Sequence, residues 1–509
     1  MKIKLSALTL VAAALAFAGQ AAWNEGSPRI NGPKVYGATP SRQFMYTFPT
    51  TGDRNGLEFA VSGGNLPAGV SLDAKSGVLS GSVKDPGSYS FTVRAGNVLG
   101  ACEKPFTLEV GANARALTPP MGWTSWNAFT RYVDQELVAA SADAIVQKGL
   151  AAHGYAYVNI DSCWQGARNK KGSAALQPNE RFPDMGALVK QIHSLGLKAG
   201  IYSTPWVHAW GSSPCRLLPG STTYPLDPEY FHKQFGGCGK VSMEKYDAAQ
   251  FAEWGFDWLK YDWCKTDVYH CRTMREALDL TKRDMILQAG TQCRSTNALE
   301  YAKWVQLARG SGDTKDKWSC IVRVEKGVDS WLGYIRPGFW YDLDMLAVGD
   351  MLIGRSSLLP PRPGEKPDEK MRNHLTEDEV AFHFCWWAII PAPLILSCDI
   401  INISDSTLGL VTNADLLEIN QDYPAKPAEF KDFDNGTRRL WMRELSDGRT
   451  VLGFFNIADG EWQVSHALPA PMEVRDVLPG ADLGVKTELS FTLRPHSCKV
   501  LILKSQSSL

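Results

Sequence analysis

At 509 residues, 44% hydrophobic and 21% charged, the chain has room for roughly two to four domains and the composition of an ordinary globular enzyme. A formal net charge of -1 with no basic block argues against nucleic-acid binding and against a polybasic membrane surface, which leaves an uncharged partner. Seventeen Trp and sixteen Tyr offer flat faces to neutral, ring-shaped ligands such as sugars, although core packing accounts for most aromatics in a large protein.

Lys2 and Lys4 precede an apolar stretch from Leu5 to Ala18, with small residues through Ala22. This reads as an export signal over 1–22, too short to span a bilayer. No Cys occurs before Cys102, so a lipidated N-terminus is not expected, and the mature protein is placed in a periplasm or outside the cell with no membrane anchor.

Residues 23–112 alternate apolar and polar side chains, as in Ser88 to Val93 and Phe106 to Val110, and carry turn pairs such as Gly63-Gly64 and Pro86-Gly87. A small β-sandwich follows. Its segment Leu66 to Asp73 followed by Ser76 to Gly81 resembles the immunoglobulin-like module at the front of many bacterial glycosidases, and a spacer role is favoured over sugar binding.

Residues 116–423 alternate strand-like and helix-like segments, which predicts a (β/α)8 TIM barrel of the α/β class. The strand candidates are Met121 to Trp126, Tyr155 to Ile160, Lys198 to Tyr202, Phe256 to Tyr261, Met285 to Ala289, Val305 to Ala308, Gly338 to Tyr341 and Leu394 to Cys398. Helical spacing runs over Asp134 to Gln147, Met185 to Leu195 and Tyr246 to Trp254. Long loops at Pro205 to Gly237 and Arg355 to His374 suit the rim of a barrel mouth. The apolar run Phe382 to Ile400 contains His383, Pro391 and Pro393, which suits a buried helix turning into a strand rather than a membrane span. From 424 to 509 the pattern returns to β alternation and predicts a C-terminal antiparallel β-sandwich. Eleven cysteines allow disulfides but leave at least one thiol over. No spacing calls for a metal, and no glycine-rich loop calls for a nucleotide, so no cofactor is expected.

The segment Leu259-Lys260-Tyr261-Asp262-Trp263-Cys264 puts a carboxylate at the C-terminal end of a strand, where parallel α/β folds gather their chemistry. Asp262 is thereby a candidate nucleophile. Glycoside cleavage with retained anomeric configuration needs two carboxyl groups about 5–5.5 Å apart, one to attack the anomeric carbon and one to protonate the leaving oxygen. Asp313, after the sixth strand, is the second candidate, with Lys260 and Arg309 as cations beside the pair. To arrive protonated, Asp313 needs its pKa raised by burial or by Asp262. Lys260 could alternatively form a structural pair with Asp257 or Asp262. Asp342 and Asp344 read as supporting acids rather than reacting ones.

Five ordered segments resemble glycoside hydrolase family 27, the melibiase type: Leu117 to Trp123, Tyr157 to Trp164, Leu259 to Cys264, Asp342 to Leu346 and Ile419 to Asp422. The resemblance implies an α-galactosidase-type retaining exo-glycosidase acting on oligosaccharides or polysaccharide side chains. It makes Asp262 the nucleophile and Asp313, in Arg309-Gly310-Ser311-Gly312-Asp313, the acid/base. It further makes Trp126 the floor of the sugar pocket, Asp161 the 6-hydroxyl ligand, Lys260 the 3- and 4-hydroxyl ligand, Arg309 the 2- and 3-hydroxyl ligand, Tyr202 a lining residue and Cys238–Cys264 a disulfide. One departure bears on substrate: the family's second Asp, which helps hold the axial 4-hydroxyl of galactose, is Ser162 here. The same chemistry on a β-L-arabinopyranoside, an α-N-acetylgalactosaminide or a gluco-configured α-glycoside is therefore an alternative, and a non-catalytic carbohydrate-binding protein is another.

Overall fold

A computed structural model describes residues 23–168, 174–208, 222–230, 237–263, 266–355 and 357–505. The predicted export signal, Cys264 and most of the Pro205 to Gly237 loop lie outside the described residues.

The centre of the molecule is an eight-stranded parallel barrel: β1 (Met121–Thr124), β2 (Tyr157–Ile160), β3 (Lys198–Ser203), β4 (Trp258–Tyr261), β5 (Ile286–Ala289), β6 (Leu307–Arg309), β7 (Trp340–Asp342) and β8 (Leu394–Leu396). Each strand pairs with its sequence neighbour, β8 lies beside β1, and a parallel bridge between Leu346 and Leu396 closes the ring. The strands are short and buried along almost their whole length, so they read in sequence as continuous apolar runs. All eight candidates are present, some trimmed at the ends. The first stops at Thr124, because the chain turns at Ser125 into α1 (Ser125–Phe129), which places Trp126 on a helix and not on a strand.

The remaining helices fill the crossovers: α2 (Gln135–Gln147), α3 (Met185–Ser194), α4 (Glu244–Trp254), α5 (Val268–Asp279), α6 (Ala298–Tyr301), α7 (Trp318–Gly327) and α8 (Glu377–Ile389). Their starts are chemically marked. Asp134, Asp184 and Asp267 cap α2, α3 and α5 by accepting first-turn N–H groups. Thr376 and Glu379 form a reciprocal capping box on α8. Helix α8 is buried on nearly every face and leads through a short turn into β8, as the run Phe382 to Ile400 predicted.

The N-terminal module has a four-stranded sheet facing a three-stranded one around Phe44, Phe48, Phe59, Phe91 and Phe106. It docks on the bottom of the barrel. Tyr36 Oη lies 2.9 Å from Nζ of Lys198, the first residue of β3. Thr39 donates its N–H to Asp284 just before β5, and Gln43 exchanges backbone bonds with Lys282 and Asp284. The module therefore covers the strand N-termini, the end remote from the candidate carboxylates.

The C-terminal domain is a six-stranded sheet joined antiparallel throughout. Its strand alternation serves two cores. Leu440, Leu452, Phe454, Leu501 and Leu503 pack within the domain, while Trp441, Val451, Phe455, Val500 and Ile502 point the other way into the barrel's outer core. The sheet and α8 are thus one packed unit.

Candidate active site

Along β4, side chains alternate: Leu259 and Tyr261 join the core between barrel and helices, while Trp258 and Lys260 turn toward the barrel interior. Lys260 Nζ sits 2.7 Å from Asp161 Oδ2 at the end of β2, and lies over the Tyr202 ring of β3, 5.6 Å from its centroid. The pairing differs from the alternatives with Asp257 and Asp262. Asp257 is engaged at the opposite end of the strand by His193 and Arg283. Burial weakens the Lys260 cation, but Asp161 and Asp262 more than compensate and hold it above the usual lysine range.

Asp262 follows β4 and is fixed from both sides. Its N–H donates to Ser203 O at 2.9 Å, and its Oδ1 accepts the Thr291 N–H at 3.1 Å. Gly290 lies directly behind the carboxylate: a Cβ there would stand 2.0 Å from Asp262 Oδ1 and 2.5 Å from its Cα. Glycine is required at 290 by this close approach. An interruption in an apolar strand pattern is the sequence signal that marks such a position, and Gly290, directly after Ala289, carried it unread.

Arg309 ends β6 with its guanidinium buried. Nη2 lies 3.1 Å from Asp313 Oδ1, and Nη1 forms a shorter ion pair with Asp344 Oδ1. The other Asp344 oxygen accepts the Thr314 N–H at 2.6 Å. Asp344 stands at φ 76°, a left-handed conformation that Asp tolerates better than most side chains, and its N–H donates to Asp342 Oδ1 at 2.8 Å. Gln288 on β5 donates to the second oxygen of Asp342 and accepts from Trp258 Nε1 at 3.0 Å. A continuous polar chain from β4 through β5 and β7 therefore orients Arg309. Asp342 and Asp344 have the supporting position expected of them.

The electrostatics of Asp313 differ from expectation. Burial raises its pKa, but the Arg309 and Lys260 charges outweigh burial and hold the carboxyl below the usual range. Asp344 is pushed up to about 6 by its burial, with Arg309 pulling the other way. One guanidinium thus serves two acids, and the half-exposed one is the more readily ionised.

Two of the other expected residues, Ser162 and Tyr202, adjoin this cluster. Trp126 is partly buried against the core at the start of α1, Ser162 is buried with its N–H on Asp161 Oδ1 at 2.8 Å, and Tyr202 is buried with Oη 3.5 Å from Asp262 O. The expected Cys238–Cys264 disulfide needs correction. Cys238 is a free, buried thiol, Cys264 lies outside the described residues, and among the described residues it is Cys163 that is disulfide-bonded. The expected pairing came from resemblance alone, whereas bridging is decided by Cα placement. A cavity of about 110 Å³ lies between the N-terminal module and the strand N-termini, lined by Tyr36, Tyr157 and Lys198. Its acids Asp257 and Asp284 are neutralised by Arg283 and Arg115, and it lies at the end of the barrel where such folds do not place their chemistry.

Sequence comparison agrees with this geometry. A profile described as alpha galactosidase A matches residues 118–357, an Ig-domain profile matches 27–111, and an alpha galactosidase C-terminal beta sandwich profile matches 435–503. Alpha-galactosidase A of Cellvibrio japonicus is 33% identical over 364 residues, covering 68% of this chain and 77% of that protein. Alpha-galactosidase 2 of Arabidopsis thaliana is 30% identical over 408 residues, covering 77% and 90%. Among solved structures, a Bacteroides fragilis protein assigned as an alpha-galactosidase/melibiase superposes with TM-score 0.79 at 30% identity over 95% of this chain and 99% of its own. Alpha-galactosidase I of Mortierella vinacea gives 0.63 at 25% identity over 77% and 98%. The chain belongs to glycoside hydrolase family 27, the melibiase family, and is an O-glycosyl hydrolase of α-galactosidase type.

Proposed function

We propose that the protein is a retaining exo-glycosidase that removes terminal α-galactosyl units from oligosaccharides, with Asp262 as nucleophile and Asp313 as acid/base. Asp262 attacks the anomeric carbon as the glycosidic C–O bond breaks, and the leaving oxygen takes the Asp313 proton. A covalent glycosyl ester remains. Water then gives a proton to Asp313 and attacks the same carbon, releasing Asp262 and a sugar of unchanged anomeric configuration. Lys260 carries the reading: its one cation is ion-paired with Asp161 and feels the charge of Asp262, and Asp313 in turn feels Lys260. A ring seated between those groups offers its hydroxyls to Lys260 and Arg309 and its anomeric carbon to the two acids. Purified protein with a panel of nitrophenyl glycosides tests the substrate, and NMR of the first-formed sugar tests retention. An inverted product, or silence across the panel, would overturn the proposal.

The ion pair between Arg309 and Asp313 predicts a particular pH dependence. The acid must be protonated, and Arg309 opposes this in the free enzyme, so the alkaline limb of kcat/KM is expected at low pH. Bound sugar hydroxyls take Arg309 Nη2 from Asp313, which raises the acid's pKa and moves the alkaline limb of kcat to higher pH. Coincident limbs in the two profiles would show that substrate leaves this ion pair intact.

Ser162 favours a second reading in which the sugar has no need of a charged partner at its 4-position. It is buried beside Asp161, in the place where a second carboxylate would complete a charge-assisted grip. Ser162→Asp is expected to raise kcat/KM for nitrophenyl α-galactoside by about 10-fold, since hydroxyl recognition by a charged acceptor is worth more than by a neutral one. A fall in that ratio would mean that Ser162 already suits galactose. Export rests on the basic and apolar start of the chain, and among the described residues no helix is long and apolar enough to cross a membrane.

A further inference from the structure

The seam between α8 and the C-terminal sheet brings together two thiols that the catalytic reading does not use. One face of α8 contacts the sheet turn by turn. Asp378 pairs with Arg494 at 2.6 Å and Glu379 with His496 at 2.8 Å. One turn on, the Phe382 ring meets Phe455 edge-on at 4.9 Å, and beyond it Trp386 lies 6.3 Å from Trp441. Cys385 is on this same face, one turn past Phe382, and is fully buried. Across the seam, Phe455 is paired in register with Cys498, the first residue of the strand Cys498–Ser505. Helix and strand are in direct contact. The register that sets Phe382 on Phe455 therefore sets Cys385 against Cys498, close enough for each thiol to act on the other. Both are free.

We propose that Cys385 and Cys498 form a disulfide that staples the C-terminal sheet to α8 of the barrel. The oxidant is a disulfide of the surroundings, such as oxidised glutathione. The Cys498 thiolate attacks one glutathione sulfur and expels the other as thiolate. The Cys385 thiolate then attacks Cys498 sulfur and expels the second glutathione. Two protein thiols are oxidised, one external disulfide is reduced to two thiols, and the two protein protons end on the released thiolates. Cys498 is only partly buried and is the point of entry. Its contact with Cys385 and its burial push its pKa well up, so the exchange is slow at neutral pH and faster in alkali.

The bond closes a loop of about 110 residues, long enough for a large entropic effect on the unfolded chain. It also ties down the helix that runs directly into β8. None of this depends on the assignment of the reacting acids.

Full-length protein is incubated with oxidised glutathione at alkaline pH, alkylated without reduction, digested and mapped by mass spectrometry. A peptide joining Cys385 to Cys498 is expected. Thermal unfolding before and after oxidation gives the second readout, because Cys163 is already bonded and only the change on oxidation reports the new link. The midpoint is expected to rise by about 10 °C more in the wild type than in Cys498→Ser. Cys385→Ala, which keeps the volume change on the helix side, must lose the same increment. Recovery of both cysteines as alkylated thiols, linkage of either to another cysteine, or an equal rise in both variants would overturn the proposal.

Discussion

Asp262→Ala is expected to lower kcat on nitrophenyl α-galactoside by on the order of 10⁴-fold, and added azide should restore turnover as the β-galactosyl azide. With the carboxylate gone, azide enters from the face it vacated and displaces nitrophenolate in one inversion. Nitrophenolate leaves without protonation, so the missing step is attack alone. Asp313→Ala should behave in the opposite sense. Asp262 still forms the ester with this activated substrate, and azide then attacks from the other face, so two inversions give the α-galactosyl azide. The pair of products assigns each acid by stereochemistry and not by the size of a rate loss, which any damage to the site could mimic. The geometry makes the contrast specific. Asp262 is pinned by Thr291 N–H and by the Gly290 backbone behind it, whereas Asp313 is half-exposed and its carboxylate is held by Arg309 alone among the described residues. Azides of the reversed configurations would exchange the two roles, and no azide from either variant would remove both residues from the chemistry.

The barrel was legible in sequence because its strands are buried on both faces and stand out as apolar runs between capped helices. Asp134 before α2 and the Thr376 to Glu379 box before α8 announce helix starts by chemistry alone. Lys260 and Asp262 were legible for a similar reason, since polar residues at the end of such a run have little structural purpose there. What the sequence could not show was partnership across strands. Lys260 could pair with Asp257, Asp262 or Asp161, and the choice depends on the stagger of β2 against β4, which no local pattern encodes. Asp344 is less accessible still to local pattern: it reaches Arg309 with residue 344 in a left-handed backbone conformation after β7. The disulfide pairing, taken from the family resemblance, failed because bridging depends on Cα separation, which no resemblance of local segments encodes. The N-terminal module is a related case. Its strands follow from alternation, yet its place beneath the barrel rests on Tyr36 meeting Lys198 and on Asp284 receiving Thr39 and Arg115, contacts more than a hundred residues apart in the chain.

Gly290 offers the most direct test of how the proposed nucleophile is positioned. A methyl group at 290 would lie inside the contact distance of Asp262 Oδ1, Cα and Cγ together. The Cα cannot swing aside by any side-chain rotation, so β4 and the turn after β5 must separate. That movement also lengthens the Thr291 N–H bond to Oδ1, which aims the carboxylate. Displacement of a reacting group by about 1 Å costs roughly 100-fold, and Gly290→Ala is expected to lower kcat by at least that factor. KM should change less, because Lys260 and Arg309 take their orientation from Asp161 and Asp344 on other strands. Loss of the barrel fold would instead appear in circular dichroism and in the thermal midpoint, so those are measured alongside. The double variant Asp262→Ala/Gly290→Ala separates positioning from general damage. If Gly290 acts through the carboxylate, adding its substitution to Asp262→Ala costs little further activity, measured as azide-rescued turnover; a full additional 100-fold loss would show that Gly290 supports the pocket independently of Asp262.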